Sequence, residues 1–236
     1  MKVRAMRIII PIIALLACVP TPSDAANRNF GVSGFDRIRI DGPYKVRLAN
    51  GVAPYAIANG SAAALDAVAM DVQGRTLVVR SNRSSWGGYP GEATGPVEIS
   101  IGTHELNTAW VNGSGSLAID RLRGLSFDLA VQGAGSASVG QANVDQLKIS
   151  IAGTGSVIIA GIAPKLTALV RGISTLDASG LAAKDATIGA QGPATVKVHV
   201  TETAKVDAQG AAVVDLAGRP ACTVKAIGSA TVSGCR

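Results

Sequence analysis

GSGSLAI (113–119), GAGSASV (133–139) and GTGSVII (153–159) repeat one seven-residue pattern, and four looser copies follow: GISTLDA (172–178), GPATVKV (192–198), GAAVVDL (210–216) and GSATVSG (228–234). The opening glycines, Gly113, Gly133, Gly153, Gly172, Gly192, Gly210 and Gly228, are spaced by 20, 20, 19, 20, 18 and 18 residues. A fixed period of this length predicts a solenoid, because one turn of such a chain cannot bury its apolar face alone and must stack on its neighbours.

Aligning the copies on the glycine sorts the side chains into columns. Four residues after it stand Leu117, Ala137, Val157, Leu176, Val196, Val214 and Val232, all apolar. Two and four residues before it the columns are again aliphatic, for example Val111, Val131 and Ile151, and Leu129, Ile149 and Ile188. Apolar positions therefore alternate on both sides of the turn, the period-two mark of strands with one buried face. The fold expected is all-β: a single-stranded parallel β-solenoid of seven rungs over residues 103–236. Right-handed crossovers dominate parallel sheets, so a right-handed coil is expected.

The interleaved positions face outward. Three after the glycine runs a Ser/Thr column of Ser116, Ser136, Ser156, Thr175, Thr195 and Thr231, broken by Val213. Five after it, Asp177, Lys197 and Asp215 place a cation between two carboxylates on adjacent turns, a stacking worth about 0.2–1 kcal/mol for each pair. Asn112, Gln132, Gln191 and Gln209, one before the glycine, are suited to hydrogen bonding between turns. Small residues two after it, from Gly115 to Ala230, let the chain turn tightly.

Residues 26–102 lack the period and are expected to form a β region that caps the solenoid and continues its core as one domain. The strand pattern falls at 35–40, 44–48, 54–59, 68–73, 76–80 and 97–101. Between them SAAALDAV, from Ser61, carries an N-cap and strong helix formers and predicts one short helix. The turn-rich run SNRSSWGGYPGEATGP (81–96) holds Trp86 and Tyr89 in a chain only 3% aromatic. Flat rings flanked by glycine suit stacking on sugars or pinning a partner, which makes this the candidate ligand-contact loop. Trp110, in an outward column three before Gly113, offers the other reading, in which Trp86 folds onto it and seals the end of the rod.

Lys2, Arg4 and Arg7 precede the apolar run Ile8 to Val19, and small residues Ser23 and Ala25 follow. Residues 1–25 thus read as a secretory signal peptide. Cleavage near Ala25 is one outcome; lipidation at Cys18, in a box of Leu15, Leu16 and Ala17, is the other. No later stretch resembles a transmembrane helix. Export places the two remaining cysteines, Cys222 and Cys235, where disulfides persist, and a bridge between them would staple the last turn. The formal charge of +6 falls to +4 without the leader, which removes three basic residues and one acidic one. So mild a charge on an exported chain argues against nucleic acid as a partner.

FDRIRIDGPYKVRLANG (35–51), QGRTLVVRS (73–81) and the serial GSGSL, GAGSA and GTGSV turns together resemble the head GIN domain family of putative autotransporter adhesins, over about residues 35–236. The resemblance implies an exported bacterial β-solenoid and carries over no catalytic residue, cofactor or metal ligand. With no barrel sequence before Cys235 and Arg236, any autotransport would need a separate protein.

Three function classes follow. The leading expectation is a non-catalytic envelope protein, in the periplasm, on the outer membrane or outside the cell, that contacts an envelope glycan or a surface protein. A polysaccharide lyase or hydrolase on the same fold would need convergent carboxylates with a basic partner, whereas Asp128, Asp145, Asp185 and Asp207 scatter through different columns and His104 and His199 lie almost five rungs apart. A structural protein that self-associates through an uncovered solenoid end is the third class.

Overall fold

A computed structural model describes residues 26–82 and 96–236. The leader with Cys18, and the loop residues Trp86 and Tyr89, lie outside the described residues. The chain is nearly all strand, wound as a parallel β-solenoid of about six turns with one short helix.

The N-terminal strands are β1 (Ala26–Phe30), β2 (Arg37–Asp41), β3 (Lys45–Asn50) and β4 (Tyr55–Gly60). Helix α1 (Ala62–Asp66) follows, with Ser61 as its N-cap accepting the Ala64 N–H. Next come β5 (Val68–Gln73), β6 (Thr76–Ser81), β7 (Glu98–Thr103) and β8 (Thr108–Gly113). The coil continues through β9 (Ser116–Gly133), β10 (Ser136–Gly153), β11 (Ser156–Ile162), β12 (Lys165–Gly172) and β13 (Thr175–Gln191). It ends with β14 (Thr195–Gly210), β15 (Val213–Ala217), β16 (Ala221–Gly228) and β17 (Thr231–Ser233).

Two faces meet at the glycine turn. Strands entering the turn stack in parallel in the order β6, β2, β8, β9, β10, β12, β13, β14 and β16. Those leaving it stack as β7, β3, β9, β10, β11, β13, β14, β15 and β17. The register follows the sequence columns, as in Leu117 beside Ala137 beside Val157. The aliphatic columns are buried as one continuous core that runs from Ile38 and Ile40 to Val214 and Leu216.

The glycine ladder extends further than the sequence period. Gly42 sits in the same column as Gly113, and the Gly42 N–H donates to the Asn112 carbonyl at 3.0 Å. Residues 37–50 are therefore a full rung of the solenoid, with Gly42 at φ +128°. This differs from the expectation that the N-terminal third stands outside the repeat. The reason is topological: β4, α1, β5, β6 and β7 are inserted between this rung and the one that follows it in space.

The cap closes one end by reversing strand direction. β5 pairs antiparallel to β6, β4 antiparallel to β7, and β1 antiparallel to β4. The crossing back to β8 is pinned by Asp36, buried to 6% exposure, which accepts from Arg75 Nη2 (2.7 Å) and Asn107 Nδ2 (3.2 Å). Thr103, fully buried, donates its hydroxyl to the Phe35 carbonyl.

At the opposite end the last described strands are β16 and β17. Cys222 and Cys235 form the expected disulfide, with Cα atoms 5.7 Å apart. It ties together the two ends of the last coil without covering it. Val224 (44%) and Ile227 (51%) remain exposed although Val224 occupies an inward column, because among the described residues no further rung stacks on β16.

Candidate functional site

Strand β8 presents Thr108, Trp110 and Asn112 outward while Ala109 and Val111 go to the core. Parallel register then assembles a patch from residues far apart in sequence. Above Trp110 stands Arg39 of β2; below it stands Ala130 of β9, then Ser150 of β10. The small side chains at 130 and 150 leave space under the indole that a larger residue would fill.

That space is a cleft of about 260 Å³ lined by Thr108, Trp110, Asp128, Ala130, Lys148 and Ser150. A second cleft of about 360 Å³ lies on the other side of the ring, lined by Arg39, Gln73, Thr76, Trp110, Asn112 and Gln132 together with Val78. Trp110 thus forms a ridge between two shallow hollows. Its ring is a flat apolar surface, and the hollows beside it offer amide, hydroxyl, guanidinium, ammonium and carboxylate groups.

The polar groups on one side are held in place. Asp41 accepts from Arg39 Nε at 2.9 Å and from Asn112 Nδ2 at 2.7 Å. One carboxylate therefore orients both a guanidinium and an amide next to the indole, which leaves the remaining Arg39 donors and the Asn112 carbonyl oxygen for other contacts. On the other side Asp128 and Lys148 stand opposite each other in register.

Past Thr108 and Asp128 a third hollow, about 360 Å³, continues along β8 toward Arg37, Glu105, Asn107 and Ser126. The three hollows follow the strand direction across one face. From residue 107 to 112 the path is roughly 17 Å at the rise of an extended strand.

Of the residues singled out in sequence, the structure places Trp110 in this patch. Cys222 and Cys235 lie at the opposite end from the cap, where they serve the last coil and take no part in it. Sequence reading missed Arg39, Asp41, Asp128 and Lys148 as neighbours of Trp110. Registering Gly42 on the glycine column would have found the first two. The amide column divides: Asn112 donates to Asp41 on the neighbouring rung, the bond between turns that was expected, whereas Gln209 Nε2 donates to Asp207 of its own strand at 3.0 Å.

The carboxylates weighed for catalysis remain apart. Asp177, Lys197 and Asp215 stack on adjacent strands of the other face, as the columns require. The Ser179 hydroxyl and backbone N–H both donate to Asp177 and hold its carboxyl below the ordinary range, with a smaller contribution from Lys197. Among the described residues no group of three or more His, Cys, Asp or Glu is arranged to hold a metal ion, and no helix is long and apolar enough to cross a membrane.

Fold and patch together define a parallel β-solenoid with a half-buried aromatic ridge on one side. Residues 34–220 match the family described as "putative auto-transporter adhesin, head GIN domain", and the chain belongs to that family. No curated protein matches it. Among solved structures it is similar to a putative adhesin from Bacteroides fragilis, at 18% identity and TM-score 0.78, covering 89% of this chain and 97% of that one. It is also similar to a putative lipid binding protein from Parabacteroides distasonis (18% identity, TM-score 0.68, 88% and 95% covered) and a putative adhesin from Parabacteroides merdae (19%, 0.67, 88% and 95%). At these identities the likeness establishes the fold.

Proposed function

We propose that the protein is a non-catalytic, exported envelope module that binds a linear polysaccharide along the Trp110 face. The observation that carries this reading is the indole ridge between two polar hollows, with Arg39 and Asn112 oriented by Asp41. Sugars present apolar C–H faces and a rim of hydroxyls, so a half-buried ring flanked by fixed donors and acceptors is complementary to them. The family description and the disulfide support an exported setting. Trp86 and Tyr89 belong to the same proposal as a second aromatic contact.

The test is binding of the mature protein to isolated envelope polysaccharides, measured for the parent chain and for Trp110→Ala, Asn112→Ala, Trp86→Ala and Tyr89→Ala. Loss of the indole is expected to weaken binding about tenfold, with an unchanged far-ultraviolet circular dichroism spectrum. Unchanged affinity in Trp110→Ala removes this face from the function. Turnover of a polysaccharide substrate would instead place the chain among the enzymes.

A further inference from the structure

The face that leaves the glycine turn carries a second, chemically different hollow. It is a trough of about 570 Å³, larger than each of the three hollows described on the Trp110 side. Two neighbouring outward columns form it. One runs Ser100, Arg47, Ala118, Ser138 and Ile158; the other runs Gly102, Ala49, Asp120, Gly140 and Ala160. Crossing from β7 to β11 takes four rung steps, roughly 19 Å.

Its walls are apolar where solvent-facing sheets are normally polar. Tyr55 pairs with Gly102 across the β4–β7 ladder, and a Cβ on Gly102 would collide with the tyrosine ring. The missing side chain gives the ring a seat on the sheet, and Tyr55 stays 38% exposed at the head of the trough. At the far end Ile158 is 61% exposed, in a column whose next members are Asp177, Lys197 and Asp215. Between them Ala118, Gly140 and Ala160 keep the floor low. A Cβ on Gly140 would stand 3.0 Å from the Asp120 carbonyl oxygen, a tight approach that glycine avoids.

Charge is unevenly placed along it. Arg47 lies at the Tyr55 end, with Lys45 two residues before it on the same face, and Arg47 has no ion pair among the described residues. The Ile158 end carries no charged lining residue, and the one acidic lining residue, Asp120, stands two positions along from Ala118, the register partner of Arg47. An occupant with a long apolar body and a single anionic end fits this distribution: its body covers Tyr55, Ala118 and Ile158, and its anion meets a guanidinium that presents a fork of donors.

We propose that this trough seats one acyl chain of an envelope lipid, with the phosphate of its head at Arg47 and the tail running toward Ile158. The site is separate from the Trp110 face and does not depend on it.

Dodecyl phosphate below its micelle concentration is the probe, titrated into the mature protein by calorimetry and by backbone amide chemical shifts. Saturable one-to-one binding is expected, with shifts centred on Ala118, Gly140 and Ala160. Arg47→Gln should weaken it about tenfold through loss of a charge-assisted contact. Ser138→Trp, an exposed outward position that fills the trough without entering the core, should abolish it. Trp110→Ala should leave it unchanged, so failure of the polysaccharide reading and failure of this one are told apart. The proposal is overturned by any of four results: no saturable binding, equal binding of dodecyltrimethylammonium, unaltered affinity in Ser138→Trp, or polysaccharide-induced shifts mapping to this trough.

Discussion

Gly172 and Gly192 occupy consecutive rungs of the glycine ladder at nearly the same backbone angle, φ +85° and +82°. Alanine at either position meets the same left-handed strain, about 1–2 kcal/mol, and the same gain of about 0.4–1 kcal/mol from a less flexible unfolded chain. Those contributions cancel when the two variants are compared. What differs is clearance. A Cβ on Gly192 would be 3.5 Å from its nearest neighbours, backbone atoms of Gly172, which is ordinary contact. On Gly172 it would be driven into the Gly153 carbonyl oxygen, and that atom is backbone and has no room to rotate away. Relieving the overlap means prising two rungs apart, an overpacking cost of about 1–3 kcal/mol. Gly172→Ala should therefore be less stable than Gly192→Ala by about 2 kcal/mol, or about 6 °C in melting temperature for a chain of this size. Thermal unfolding followed by circular dichroism at 218 nm, with both variants at one concentration and scan rate, reads the difference. Equal losses, or a greater loss in Gly192→Ala, would show that close rung approach is not what demands glycine in this column.

The same turn yields a second test: Ser174 is buried and its hydroxyl sits 3.0 Å from the Gly153 carbonyl and 2.9 Å from that of Arg171, so Ser174→Ala should cost about 1 kcal/mol by urea denaturation. Replacing Cys222 and Cys235 by serine opens a bridge spanning 13 positions, worth about 3 kcal/mol in the chain-entropy model. In a solenoid each coil leans only on its neighbours, so the loss should appear as faster hydrogen exchange in β16 and β17, with little change in the main melting transition. Asp177 has a lowered folded-state pKa, held down first by the Ser179 hydroxyl. Its contribution to stability is thus present above the unfolded carboxylate value, about 3.9, and is lost as pH falls through the folded value. Carboxyl carbon NMR titration should show Asp177 titrating low, and Ser179→Ala should move it back up.

How much of this was legible in the sequence depends on whether spatial neighbours are also a fixed distance apart in the chain. From Gly113 onward each rung stacks on the coil just before it, so the period exposes columns, inward faces and the Asp177–Lys197–Asp215 stack at once. Gly42 obeys the same physics and hid, because its partner Gly113 is separated from it by the whole cap and the rung stacking above it comes later in the chain. Tyr44 adds to the disguise: it fills the column where later turns carry Gly115, Gly135 and Gly155, and its ring closes the top of the core with its hydroxyl 3.0 Å from that of Ser81.

The functional surface was legible to the degree that it follows the ladder. Trp110 could be assigned an outward position from spacing alone, yet its neighbours Arg39 and Asp41 come from the displaced rung and were out of reach until that rung was placed. Tyr55 was less accessible still, because its seat on Gly102 is made by an antiparallel pairing between a cap strand and a solenoid strand, and no repeat encodes it. Both aromatic features therefore sit where the regular coil meets the irregular cap. The repeat alone supplies flat, self-similar faces, and every turn of it resembles the next. A surface that distinguishes one ligand from another needs a residue the repeat does not supply. Here the cap and the displaced rung bring them in: Arg39 beside Trp110, and Tyr55 beside Arg47.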